Sequence, residues 1–254
     1  MPLAESKRIQ FEQNGFFFVQ NPFGQKVMSK INAIYGDVQS SWSQTIWPDG
    51  LNPNACHFLM VGEPLFQIVE EPSLINMAKE ILNCDKISIS ACGLGDASKA
   101  VSTDGRPQQQ VHWHTDGGPE VRQVSLRTAL DRHDKGNAPL RILPGSHVRP
   151  RDEVREEFLA IEIATGQCEN EPQTFFARHP EEMEIILDPR WTMVWTPSCW
   201  HATWIKTSTG LRRAMAWNYV RYDEKIRDAE AVKYVVKGWE KWSEERKALW
   251  GLVS

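Results

Sequence analysis

From Lys86 onward the chain becomes a succession of short β-type runs separated by turn residues, and that texture constrains its fold more than any other feature. The runs are Ile87–Ser90, Val111–Asp116, Val124–Leu130, Leu140–Leu143, Met183–Leu187, Trp191–Trp195 and Ala214–Val220. They suit a jelly roll or a similar double-sheet barrel. A polar excursion from Arg149 to about His179 interrupts the series and carries a helical pattern near Glu153–Ala164.

The first third of the chain is different. Ile9–Gly15 reads as a short helix stopped by glycine, followed by the strand Phe16–Val19. Val27, Ile31, Ile34 and Val38 recur at helical spacing between Lys26 and Trp42, and a serine cap at Pro72-Ser73 opens a helix carrying Leu74, Ala78, Ile81 and Leu82. Asp223 to Trp250 is helical again, with Val232, Val235, Trp239 and Trp242 as a packing stripe. The expectation is one domain over 1–254: N-terminal helices to about residue 85, a β-barrel core at about 86–221, and a helical segment at about 223–250. At 254 residues one core suffices.

A net charge of -4 leaves no basic footprint for nucleic acid, and no apolar run approaches a membrane span. Five scattered cysteines, without a Cys-x-x-Cys pair, support neither disulfide stapling nor a structural zinc. A cytoplasmic protein with a small-molecule partner is the expectation.

The chemistry concentrates in Val111-His112-Trp113-His114-Thr115-Asp116-Gly117-Gly118. On a strand alternate residues share a face, so His112, His114 and Asp116 are expected on one side. Neighbours on one strand cannot surround an ion, so a further ligand must come from His57, His133, His147, His179 or His201. His201 stands out, because it follows Trp195-Thr196-Pro197-Ser198-Cys199-Trp200 at the end of a strand and precedes Arg212 by eleven positions. Parity after Gly210 puts Arg212, Ala214, Ala216 and Asn218 on one small-residue face and Arg213, Met215, Trp217 and Tyr219 on a core face. Arg212 is therefore the arginine suited to clamp a carboxylate.

Two histidines and a carboxylate on one side of a metal form the facial triad of non-haem Fe(II) oxygenases. His114-Thr115-Asp116, His201 and Arg212 together resemble the Fe(II)/2-oxoglutarate dioxygenases of the phytanoyl-CoA hydroxylase-like family. Asn137-Ala138-Pro139-Leu140 through Pro144-Gly145-Ser146-His147 is similar to that family's "NGPL…PGSH" segment, and Asn14-Gly15-Phe16 to its "NGY" element. The likeness runs from about residue 9 to 221. It implies a mainly β fold with flanking helices, a cupin-like double-stranded β-helix, with Fe(II) on His114, Asp116 and His201. It also implies 2-oxoglutarate held by Arg212 and Thr203, O2 as co-reactant, and oxidation of a metabolite or natural-product intermediate by hydroxylation, desaturation or cyclisation. Asp116 stands where halogenating members carry a small residue, which favours oxidation over halogenation. Asp188-Pro189-Arg190 departs from the usual Gly-Asp turn.

Arg127 occupies a position that lines the cosubstrate pocket in relatives, often as an aromatic. It suits a carboxylate of the substrate or a different grip on 2-oxoglutarate. His112 contacts the cosubstrate, lines the cavity or fills the barrel. His147 reads as a turn residue. Two readings from other classes stand beside this one. The first is a cupin-type metalloenzyme using His112, His114 and Glu120; the second is a non-catalytic barrel that binds a small molecule.

Overall fold

A computed structural model of the chain describes residues 3–44, 58, 62–96, 111–116, 123–166, 174–222 and 229–252. Among these residues nine strands form two antiparallel sheets. The larger has the order β1(Phe16–Gln20)-β7(Trp191–Trp195)-β4(Gln123–Ala129)-β9(Arg213–Arg221)-β2(Ile87–Asp96), and the smaller β3(Val111–His114)-β8(His201–Thr203)-β5(Leu140–Ile142)-β6(Met183–Ile185). The two sheets face each other as a jelly roll with flanking helices, the double-stranded β-helix expected from the run of short strands.

Period-2 alternation sorts the side chains into separate cores. Ala129, Leu140, Ile142, Ile185, Met193 and Trp195 come from both sheets and fill the space between them. Val124, Leu126, Val194, Met215, Trp217 and Tyr219 point to the outer face of the larger sheet. There they meet the helices α2(Gln25–Gln44), α3(Glu63–Val69) and α4(Pro72–Leu82). Ile31, Tyr35 and Val38 on α2, and Leu74, Ala78 and Leu82 on α4, are buried at the spacing of one helix face. A third cluster joins Trp113, Trp200 and Ala202 behind the smaller sheet to Val154 and Phe158 of α5(Arg151–Ala164).

Several local expectations are corrected. The cap of α4 is Glu71, whose carboxylate accepts the Ser73 N–H; Ser73 lies inside the first turn. The C-terminal segment is not one helix. It divides into α6(Ala229–Val235), a 3-10 turn at Trp239–Lys241 and α7(Glu244–Leu249), broken at Gly238 with φ 81°. Strand β3 ends at His114, two residues before Asp116, and carries a register shift against β8 between Val111 and His114.

One glycine position is fixed by crowding. Helix α1(Glu5–Asn14) ends at Gly15 with φ 82°, and an added Cβ there would lie 2.2 Å from Cys199 Sγ and 3.0 Å from His147 Nδ1. Gly15→Ala therefore combines left-handed strain with overpacking and is expected to cost about 3 kcal/mol. Thermal denaturation should show a melting point lower by roughly 6–12 °C.

Candidate metal centre

The loop 196–200 organises the site. Pro197 O accepts the Asp116 N–H at 2.8 Å, and Cys199 O lies 2.9 Å from His201 Nδ1. Ser146 Oγ accepts the Trp200 N–H at 2.8 Å, and His147 Nδ1 sits 3.5 Å from Cys199 Sγ. Gly145 N–H donates to Asn14 O. The Pro144–His147 run and the Asn14-Gly15 turn, far apart in sequence, thus meet behind one loop and hold it. That loop feeds His201 into β8.

His201 and His114 are opposite each other in the β3–β8 ladder. Their rings lie 4.1 Å apart between centroids, and Trp195 meets His201 edge-on at 4.7 Å. Asp116 approaches both: Oδ1 is 3.7 Å from His114 Nε2, and Oδ2 is 3.8 Å from His201 Nε2. One ligand atom from each of the three lies within 4.8 Å of the others.

The tautomers follow from the backbone. His114 Nδ1 faces His112 O at 2.8 Å, and a carbonyl only accepts, so Nδ1 carries the proton. Cys199 O imposes the same state on His201. Each Nε2 is thereby turned towards Asp116, and in the neutral ring it is the nitrogen that carries the lone pair. This is how proteins orient metal-binding imidazoles. Burial, then the neighbouring His114, pushes the His201 pKa down to about 3. Two imidazoles with Nδ1 engaged by carbonyls, together with one carboxylate, fit a divalent first-row metal such as Fe(II).

His112 is on the His114 side of β3, with ring centroids 5.6 Å apart, and Phe176 meets it edge-on at 6.1 Å. Burial and His114 lower its pKa. Thr203 is buried on the His201 face of β8. Arg212 is buried just before β9 and donates from Nε to Ala138 O at 2.7 Å and Asn137 O at 3.2 Å. Burial, and then the Arg127 charge, lowers its pKa, yet the guanidinium stays cationic at neutral pH. Arg213 takes the other side of the strand and pairs with Asp131 at 2.8 Å. Arg127 stands on β4 opposite Met193 and Ala216. Glu120, His57 and Gly117-Gly118 lie outside the described residues.

Nothing beyond composition recommends His133 in the sequence, but it is buried and donates from Nε2 to Arg213 O at 3.2 Å. Burial, then the charges of Arg127 and Arg212, drives its pKa to about 3. A pKa below the unfolded value of about 6.5 means that its share of stability is full above pH 6.5 and is lost as pH falls towards 3. His133→Gln should therefore flatten the acid limb of stability by about 1.4 kcal/mol per pH unit between pH 6 and 4. Urea denaturation of both proteins across that range reads the difference.

His147 and His179 are structural: the first packs on Cys199, and the second lies 3.4 Å from Glu157 and against Phe158. A cavity of about 950 Å³, lined by Lys79, Lys86, Tyr222 and Trp242 among others, shares no residue with the His/Asp cluster. No helix among the described residues is long and apolar enough to cross a membrane.

The phytanoyl-CoA dioxygenase family matches residues 11–214 of the chain. Ectoine dioxygenase of Bordetella parapertussis is 24% identical over 155 residues, covering 54% of this chain and 47% of that protein. The chain thus spans about half the length of the curated relatives it matches. EctD from S. alaskensis, solved with bound Fe, superposes with a TM-score of 0.62 at 16% identity, covering 93% of this chain and 82% of that one. HygX from Streptomyces hygroscopicus, solved with nickel and 2-oxoglutarate, gives 0.62 at 12% identity, covering 88% and 89%. These likenesses establish a shared fold.

Proposed function

The chain belongs to the phytanoyl-CoA dioxygenase family, and from that premise we propose that it is a non-haem Fe(II)/2-oxoglutarate-dependent oxygenase of a small molecule. The observation that carries this reading is the cluster of His114, Asp116 and His201. Its two imidazoles have their Nδ1 atoms engaged by carbonyls and their Nε2 atoms turned to one carboxylate.

In this reading His114 Nε2, His201 Nε2 and one Asp116 oxygen would hold the metal. Bound Fe(II) supplies the activation of O2, coupled to conversion of 2-oxoglutarate to succinate and CO2. The chain's own contribution is position and exclusion of water. The carbonyls of His112 and Cys199 keep both imidazoles from rotating, and Pro197 O keeps Asp116 against them. Arg212, fixed through its Nε on two carbonyls, turns its guanidinium to the remote carboxylate of the cosubstrate. Thr203, on the His201 face of β8, offers a hydroxyl to the same molecule. Trp195 closes the inner side against His201, whereas His112 and Phe176 line the approach.

With Asp116 in the ligand set, the substrate is expected to gain oxygen or to lose two hydrogens. The test is a metabolite screen with Fe(II), 2-oxoglutarate and O2, read as stimulated succinate formation and as product mass. Succinate that requires both Fe(II) and a particular compound supports the reading. Absence of any Fe(II)-dependent loss of 2-oxoglutarate, with or without candidate substrates, contradicts it.

A further inference from the structure

Among the described residues the two buried arginines, Arg141 and Arg212, and the half-buried Arg213 have acceptors. Arg141 has Glu182 and two backbone carbonyls, Arg213 has Asp131, and Arg212 has the carbonyls of Asn137 and Ala138. Arg127 departs from that pattern. Its Nε is buried without a hydrogen-bond partner, and no carboxylate pairs with it among the described residues. Arg127 is half-buried, but its Nε is cut off from water without an acceptor, which is costly, so the site suits an anion that the described residues do not supply.

The register says where that anion belongs. On β4, Arg127 is opposite Met193 of β7 and Ala216 of β9, and two residues further on Ala129 is opposite Ala214. Met193 and Ala129 belong to the core between the sheets, so the Arg127 face looks into the barrel. Continuing the same antiparallel register past Ala214 leads to Arg212. The two arginines are four positions apart along the ladder, about 13 Å between backbones, which is within the combined reach of two such side chains. Between them lie the methyl groups of Ala129 and Ala214, a floor without bulk. The electrostatics agree: the Arg127 charge acts on Arg212 and is the foremost charge acting on His133, whereas for His201 it is the smallest of the influences at work. Arg127 therefore serves the Arg212 end of the pocket more than the metal end.

We propose that Arg127 is a second cationic arm of the cosubstrate subsite, closing with Arg212 on the remote carboxylate of 2-oxoglutarate. This rests on the 2-oxoglutarate reading above and adds to it a two-arginine clamp reaching in from two strands. A planar carboxylate has lone pairs enough for both guanidiniums, and its charge relieves the repulsion between them.

The test is calorimetric titration of Ni(II)-loaded wild type, Arg127→Met and Arg127→Lys with two probes. These are 2-oxoglutarate and 2-oxobutyrate, which keeps the metal-chelating end and lacks the remote carboxylate. Arg127→Met is expected to weaken 2-oxoglutarate binding by about 10–100-fold and to leave 2-oxobutyrate within about twofold. Arg127→Lys, which restores charge without the fork, should fall between wild type and Arg127→Met for 2-oxoglutarate. Two results overturn the clamp while the wild type still binds 2-oxoglutarate. One is unchanged 2-oxoglutarate affinity in both variants; the other is an equal loss for both probes, the signature of a general structural role. A wild type that binds neither probe would instead overturn the cosubstrate reading itself.

Discussion

His201→Ala is expected to abolish Fe(II)-dependent conversion of 2-oxoglutarate while leaving the fold in place. The reason lies in topology. His114 and Asp116 are two residues apart on one segment, and among the described residues only His201, from β8, approaches from a second. Without it, an imidazole and an exposed carboxylate from one segment remain, and they cannot enclose an ion. Removing an outer partner of a metal ligand typically costs about 10–100-fold, so removing the ligand itself should cost more, by ~1000-fold in succinate formation. The structural cost is smaller. His201 gives up its contact with Trp195 and its bond to Cys199 O, but the β5–β8 ladder stays paired through the backbone. Near-ultraviolet circular dichroism checks the fold and succinate formation reads the loss. Activity within tenfold of wild type would remove His201 from the site.

The largest stability effect is expected at Arg141, whose side chain is buried. Its guanidinium lies between the rings of Trp113 and Trp204, at 4.6 and 4.5 Å. It pairs with the carboxylate of Glu182 and donates to Phe176 O at 3.2 Å and Ala177 O at 2.9 Å. Arg141→Met keeps much of the volume but leaves the buried Glu182 carboxylate with only the His179 N–H at 3.0 Å and the largely exposed Arg178 at 3.6 Å to answer its charge. Breaking a buried pair from one side costs about 3–5 kcal/mol. Because Trp113 lies between His112 and His114, the damage should also loosen β3. The double variant Arg141→Met/Glu182→Met removes both charges and should recover most of the loss, since apolar replacement of a whole buried pair is often near neutral. Chemical denaturation of wild type, single and double variants closes the cycle. A single-variant loss under about 1 kcal/mol would contradict this account.

Much of this architecture was legible in the chain because its signals are local. The alternation on Val124–Leu130 and on Arg212–Asn218 separated the two cores correctly, since strand periodicity is a backbone property. Gly15 ended α1 as the sequence implied. What escaped were choices made by distant partners. Val111–Asp116 reads as one strand, yet β3 stops at His114 because β8 ends its pairing at His201 and Pro197 O captures the Asp116 amide. His133 carried no sequence signal because its importance comes from neighbours eighty residues away on the chain, at Arg212 and Arg213. Ser146 looked like part of a turn motif. Its hydroxyl in fact fixes Trp200, and through it the entry of His201. The orphaned Nε of Arg127 belongs to the same class, for parity put the side chain in the barrel but could not show that nothing inside receives it.

The most direct test of the metal assignment is anaerobic Fe(II) titration, in chloride-free buffer, of wild type, Asp116→Ala and His112→Ala. His112 contributes its backbone carbonyl to His114, which alanine retains, and its ring is not among the three clustered ligands. The expected result is one Fe(II) per wild-type chain, affinity weakened at least about 10–100-fold in Asp116→Ala, and affinity within a few-fold of wild type in His112→Ala. The reverse pattern, with iron kept by Asp116→Ala and lost by His112→Ala, would move the metal onto the two histidines of β3 and contradict the His114, Asp116 and His201 site.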